Sequence, residues 1–293
     1  MRRFVRSVLA SVAAVALLAT AGRAHAQEVQ VTGPLKGAPA VRHLRLYRQG
    51  RVEISPTVAF SLLDEYRRTI LVGATLNYAI TDWLAVGVWG GYAGASLSPT
   101  TDLTDRMSQT TGAPHNQETA NNVIHSAAPF GDNGSHPSFS DQTAYIDYLV
   151  APQLTFIPFR GKLAIFNKIF VDSDLYLAAG AAFVGIHERE NCGGSNQIAC
   201  NQPASFQLAA TSKVAPTFGI GFKFYPGNFW SLGVEYRAVP FSWNRAGFDS
   251  RGAGPNGNFP DGKVDSQDDT FKFNQFVTVS IGFYLPTSPK LSD

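Results

Sequence analysis

The stretch ITDWLAVGVWGGYAG, Ile80 to Gly94, decides the fold. A turn dipeptide, Thr81-Asp82, opens it. Leu84, Val86 and Val88 then alternate with small residues, Ala85, Gly87 and Gly91, with Trp89 among them. Successive side chains of a strand point to opposite faces, so this is a strand with one greasy face and one small face. A soluble sheet buries its greasy face in a core. The question is what this one meets.

The same alternation recurs in eight segments. Val52 to Leu62 places Val52, Ile54, Pro56, Val58, Phe60 and Leu62 on one face. Ile70 to Ile80 follows, then the opening stretch, then Ile146 to Phe156, Asp174 to Phe183, Lys213 to Phe224, Ser231 to Ala238 and Val277 to Tyr284. The first segment runs 11 residues. Ordinary strands average about 5–6 residues, whereas a tilted strand crossing an outer membrane needs about 9–11. The connections alternate too. Thr81-Asp82 and Tyr225 to Asn228 are tight, and Pro158 to Asp172 is a longer link on the same side. Ser96 to Gln142, the loop after Phe183 and Asn244 to Asp269 are long and fall on the other side. Bacterial outer-membrane barrels have an even strand number, short periplasmic turns and long outer loops. The sequence therefore predicts an all-β chain, an eight-stranded antiparallel up-and-down transmembrane β-barrel over residues 51–285, both termini periplasmic. The greasy face meets lipid and the small face lines the interior. A soluble β-sandwich or lipocalin-like barrel is the alternative fold.

Aromatic residues at strand ends mark the membrane interfaces. Tyr78, Trp83, Tyr225, Phe229 and Trp230 are expected to form the periplasmic girdle, with Tyr145, Phe241 and Trp243 in the outer one. Pro56, Pro152 and Pro216 cannot donate a ladder bond. Each is expected to face outward at a bulge or distorted pair.

The N-terminus carries Arg2, Arg3 and Arg6, an apolar run from Val8 to Ala19, and Ala24-His25-Ala26. That is the layout of a secretory signal peptide, with cleavage expected after Ala26. The run falls short of the ~20 apolar residues of a spanning helix. Residues 27–50 are expected to form a periplasmic segment and residues 286–293 a tail. In an exported chain Cys192 and Cys200 are expected to form a disulfide. The net charge of +2 and the lack of a basic stripe argue against nucleic-acid binding.

Three motifs occur together: GPLKGAPAVRHLRLYRQGR (Gly33–Arg51), ITDWLAVGVWGGY (Ile80–Tyr92) and PFRGKLAIF (Pro158–Phe166), the last leading into DLYLAAGAAFVG. The set resembles a family of outer membrane β-barrel domain proteins abundant in myxobacteria, small barrels like OmpA and OmpX. The resemblance implies the same fold, insertion by the barrel assembly machinery, and partners within envelope-spanning complexes. One departure is the end of the chain. Such barrels often finish on an aromatic residue, whereas here Phe283 and Tyr284 are followed by LPTSPKLSD.

An eight-stranded barrel is just wide enough for side chains to fill. Glu53, Asp147, Asp174, Lys213, Lys223, Glu235 and Arg237 are expected to point inward, four acids against three bases. Buried charges need partners, so a salt-bridged plug is expected, with a narrow ion path as the alternative. There is no G-x-S-x-G, H-E-x-x-H or phosphate-binding glycine loop. No enzyme is expected and no cofactor. His187, Glu188 and Ser205 are the residues a lipid-modifying enzyme would use. His115, Glu118, His125, Asp132 and His136 fit no metal-ligand spacing. Asp261, Asp265 and Asp268 match the second half of a calcium loop, but Gly257 and Phe259 stand where acidic ligands belong.

The function expected is a non-enzymatic structural or scaffold barrel of the cell envelope. It would bind envelope partners through its outer loops or its periplasmic segment. A small ion or solute pore is the alternative.

Overall fold

The computed structural model describes residues 48–109, 139–165, 169–195, 197–200, 202–227, 229–254, 257 and 261–287. The expected signal peptide and most of the periplasmic segment lie outside them. Eight strands close into one ring: β1 Val52–Leu62, β2 Ile70–Ala79, β3 Leu84–Tyr92, β4 Tyr145–Ile165, β5 Ile169–Arg189, β6 Leu208–Tyr225, β7 Trp230–Trp243 and β8 Thr270–Leu285. Every neighbour in sequence is an antiparallel neighbour in space, and β1 pairs with β8, with Val52 opposite Leu285. Closure leaves the ring without the two free outer strands an open sheet would have.

The opening stretch is β3 and behaves as read. Val86, Val88 and Tyr92 are exposed, while Ala85 and Trp89 are buried inside. Gly87 is needed there, because a Cβ would lie 2.2 Å from the Leu76 carbonyl oxygen. Around the ring, Ile54, Leu76, Leu154, Leu177, Phe222, Val234 and Ile281 lie on the outside. An apolar exterior around an interior that carries the buried charges reverses the pattern of a soluble barrel and matches a membrane one.

Several expectations need correction. The Pro158 to Asp172 link is not a loop: β4 and β5 stay paired from Phe159↔Leu175 to Ile165↔Ile169, as a hairpin extending past the barrel. Tyr225 is not in the girdle. It is only 6% exposed and points inward, on the same face as Lys223 two residues earlier. Phe241 and Trp243 also point inward, on the face of Glu235 and Arg237. Tyr78, Trp83 and Phe229 are exposed near the short turns, with Trp230 half-buried beside them. The outer ring is formed instead by Tyr92, Tyr148 and Tyr236, with Tyr92 and Tyr148 directly paired across β3 and β4.

Pro56 and Pro152 face outward at distorted pairs, as expected. Pro56 and Pro152 are exposed, and each leaves a short gap in one ladder, β1–β8 or β4–β5, that resumes in register. β4 is irregular at two places, between Phe156 and Phe159 and at Asp147, between Ile146 and Tyr148; the second is the one that matters for the lumen. It turns Ile146 into the interior and takes Asp147 out of it.

Candidate functional site

The interior of the barrel is the best-defined polar site, and it is built in layers. At the periplasmic mouth Arg48, which precedes β1, enters from below. Its backbone N–H donates to Asp82 Oδ1 at 2.7 Å, and the Gln49 N–H donates to the same oxygen at 3.1 Å. That anchors the residue to the β2–β3 turn. Its guanidinium pairs with Asp174 and lies 4.4 Å over the Tyr225 ring. Tyr225 donates its hydroxyl to Asp174 at 2.9 Å and touches the Tyr284 hydroxyl at 3.2 Å. Arg51 lies over the Tyr284 ring and donates Nε–H to the Pro286 carbonyl at 3.1 Å. The two ends of the barrel chain are thus tied together beneath the lumen.

Above this layer Lys223 of β6 reaches Glu53 of β1, contacting both carboxylate oxygens. Ser55 and Asn77 donate to the same carboxylate at 2.8 and 3.2 Å. A carboxylate in low dielectric needs this set, because each unmet lone pair costs free energy. Next come Glu235 and Arg237, paired at 2.6 Å on one strand. Arg237 is fully buried. It donates to Gln153 at 2.7 Å and Thr217 at 3.2 Å, and stacks 4.3 Å over Trp89. The lower lumen thus pairs Glu53, Asp174 and Glu235 with Lys223, Arg48 and Arg237, and Arg51 is buried beside them.

The outer half of the lumen is apolar. Leu71, Leu149, Ile186, Val239, Phe241 and Phe276 form one buried cluster with Trp89. Small spaces in the lower lumen, among the described residues, include two of about 20 and 10 Å³. Each holds about one water. The interior is a packed core.

Of the seven charges read as inward, five fall in this network: Glu53, Asp174, Lys223, Glu235 and Arg237. Asp147 does not, because of the bulge. Lys213 belongs to the outer rim, where its Nζ is 2.6 Å from Asp269 and 3.5 Å from Glu188. The residue that sequence reading missed is Arg48. It sits outside the strands, so alternation could not place it; the odd count of acids over bases was the available signal.

The outer loops are organised by Arg189, also missed. Its guanidinium donates to the carbonyls of Ser205 (3.0 Å), Gly247 (2.9 Å) and Cys200 (2.9 Å), and to Gln142 Oε1 (3.2 Å). It thereby pins three loops at once. Cys192 and Cys200 are joined as a disulfide, and Cys192 exchanges backbone bonds with Val264 of the β7–β8 loop. His187 stacks on Tyr145 at 4.9 Å, while the Ser205 hydroxyl bonds the Cys200 and Gln202 carbonyls. The two do not form a base–nucleophile pair. Asp265 and Asp268 cap one short helix, Ser266–Asp268, and Asp268 also accepts the Ser250 and Arg251 N–H groups at 2.7 and 2.9 Å. Burial pushes the Asp268 carboxyl above the usual carboxylate range, against the hydrogen bonds it accepts. Asp261 bonds the Lys263 N–H. Among the described residues no three acids, histidines or cysteines converge on a metal position. His115, Glu118, His125, Asp132 and His136 lie outside the described residues.

No family model matches the chain, and no curated protein does. Solved structures do match in fold. The N-terminal β-barrel domain of Pseudomonas aeruginosa OprF is 10% identical, with TM-score 0.40, covering 81% of this chain and 98% of that one. OprG from Pseudomonas aeruginosa is 10% identical, with TM-score 0.39, covering 83% and 99%. Ail, the attachment invasion locus protein of Yersinia pestis, is 13% identical, with TM-score 0.31, covering 81% and 99%.

Proposed function

We propose that this chain is a non-enzymatic barrel of the cell outer membrane, exported by a cleaved signal peptide, that serves as a structural component of the envelope. The observation that carries this reading is the packed lumen. Each acid of the lower half has a base, and apolar side chains fill the upper half. A pore would need a continuous wet path, and an enzyme would need a nucleophile beside a base. The filled interior supports neither. What the barrel offers is its two ends: the outer loops held together by Arg189, and the periplasmic segment leading into Arg48. Both suit contacts with envelope proteins, as the myxobacterial resemblance also implies.

The test is site-specific photo-crosslinking in intact cells from Gln49 and from Asp102 on the outer side. A discrete protein adduct from either position supports a scaffold. Folded barrel with no adduct from both positions contradicts it.

A further inference from the structure

The apolar surface of the barrel is not the same height all round. On β8 the outward positions are Phe283, Ile281, Val279, Val277, Gln275, Phe273 and Phe271. Gln275 is satisfied there by the Tyr236 hydroxyl, which donates to its Oε1 at 2.7 Å. β1 pairs with β8 only as far as Leu62↔Gln275, so Phe273 and Phe271 stand above the head of β1. They are 46% and 67% exposed, and alternate with half-buried Lys272 and buried Asn274. Beside them Leu63, 75% exposed, has φ 58°, a left-handed conformation that costs a non-glycine residue. Its carbonyl accepts from Lys272 Nζ at 2.8 Å. A strained leucine this exposed gains little from packing inside the chain. On other strands the outer rim continues the lipid face with polar or small residues. Arg68 follows Ile70 of β2, Gly185 and His187 follow Phe183 of β5, and Ser212 and Ala210 follow Val214 of β6.

The inner end shows the converse. Leu84↔Phe156 and Asp172↔Tyr225 are the last pairs that β4 and β5 make with β3 and β6. The two strands continue together to Ile165↔Ile169. Phe159, 67% exposed, opens this arm opposite Leu175, and the sequence keeps Leu163, Ile165, Ile169 and Val171 at alternate positions beyond it. In a ring closed in chain order, β4–β5 lies across from β8–β1. The apolar surface is therefore high on one side and low on the other. Along strands inclined about 40° at about 3.3 Å per residue, Gln275 to Phe271 raises it about 10 Å and Phe159 to Ile165 lowers it about 15 Å.

A flat hydrocarbon layer covers an inclined band when the barrel inclines with it. We propose that the barrel sits tilted in the bilayer, with Phe271, Phe273 and Leu63 among acyl chains of the outer leaflet and the β4–β5 arm laid along the inner leaflet. The partner of both surfaces is lipid, because each continues the lipid face of its own hairpin. The inference rests on the reading of the chain as a membrane barrel.

The experiment places a nitroxide on one added cysteine at a time, in the protein folded into phosphatidylcholine vesicles, and reads its collisions with dioxygen and with a polar nickel chelate. The variants are Leu76→Cys in the middle of the wall, Phe271→Cys, Ser212→Cys at the rim of β6, and Gly161→Cys on the arm, where an added Cβ meets nothing within 4 Å. Leu76→Cys reports insertion. Hydrocarbon excludes the polar collider, so the ratio of dioxygen to chelate collisions is expected to be at least about fivefold higher in Phe271→Cys and Gly161→Cys than in Ser212→Cys. A low ratio in either of the first two, or an equally high one in Ser212→Cys, overturns the tilt and leaves the membrane barrel standing. Few collisions with either reagent in Phe271→Cys would mean that a second copy covers the patch, which also overturns the proposal. A low ratio in Leu76→Cys would overturn the membrane reading and the tilt with it.

Discussion

Arg48 and Asp174 form a buried ion pair although one precedes the first strand and the other sits on the fifth. The pair, with Tyr225 beneath the guanidinium, closes the periplasmic mouth. Its basic member precedes β1, whereas Lys223 and Arg237 lie on strands.

Removing one member of a buried pair strands the other. Arg48→Met is expected to cost about 3–5 kcal/mol, and Arg48→Met with Asp174→Leu to recover most of that loss. Urea titration of the folded barrel, read by the mobility shift between unheated and boiled samples, measures both. A double variant no more stable than the single would mean that the two side chains are not coupled.

Lys223 and Glu53 give a second cycle higher in the lumen. Lys223→Met leaves the Glu53 carboxylate buried with only Ser55 and Asn77 as donors, at a similar cost of about 3–5 kcal/mol. Adding Glu53→Gln is expected to restore stability. The same titration reads the result. The two cycles are expected to depart from additivity, because both pairs line one small cavity beside Tyr284.

Arg189 should affect the loops and spare the barrel. Arg189→Met withdraws donors from the Ser205, Gly247 and Cys200 carbonyls. Limited proteolysis is expected to cut residues 190–207 and 244–254 much faster, with an unchanged urea midpoint. A fall in that midpoint with intact loops would place its role in the wall instead.

The disulfide supports the same loop cluster. Closing the short loop between Cys192 and Cys200 is worth about 2–3 kcal/mol on the chain-entropy estimate. Reduction is expected to speed cleavage near residues 190–200 while the barrel keeps its heat-modifiable mobility. Unchanged cleavage would show that Arg189 alone holds the loop.

Backbone exchange tests the end of the β6–β7 ladder at Phe218↔Ala238. Amides of Ile220 to Phe224 lie between two paired strands and are expected to exchange slowly. Those of Leu208 to Val214 have one neighbour only, and about half of them are expected to exchange orders of magnitude faster. Uniform protection along β6 would mean that the ladder closes.

Alternation alone was enough to read eight strands, their order and which face meets lipid, because the period of two is enforced at every residue by lipid on one side and packing on the other. It was less useful at strand ends. Tyr225, Phe241 and Trp243 look like girdle residues by type, but Lys223 and Arg237 on the same faces already pointed inward. Parity was the better guide than aromatic character. Asp147 was illegible because a bulge resets the parity, and bulges leave no mark in this stretch. Pro240 was missed because β7 was ended at Ala238, which also hid that the register continued past Phe218↔Ala238 sets it opposite Pro216. Arg48 and Arg189 act through carbonyls and partners far away in sequence, and no local pattern announces such contacts.

The central claim is that the lumen is packed shut. Single-channel recording of the purified, heat-modifiable barrel in a planar bilayer tests it most directly. The account predicts silence from folded protein over the voltage range that the bilayer tolerates. Steady, reproducible conductance steps whose ion selectivity changes with Glu235→Gln or Arg237→Met would contradict it, and would make these charges the lining of a path.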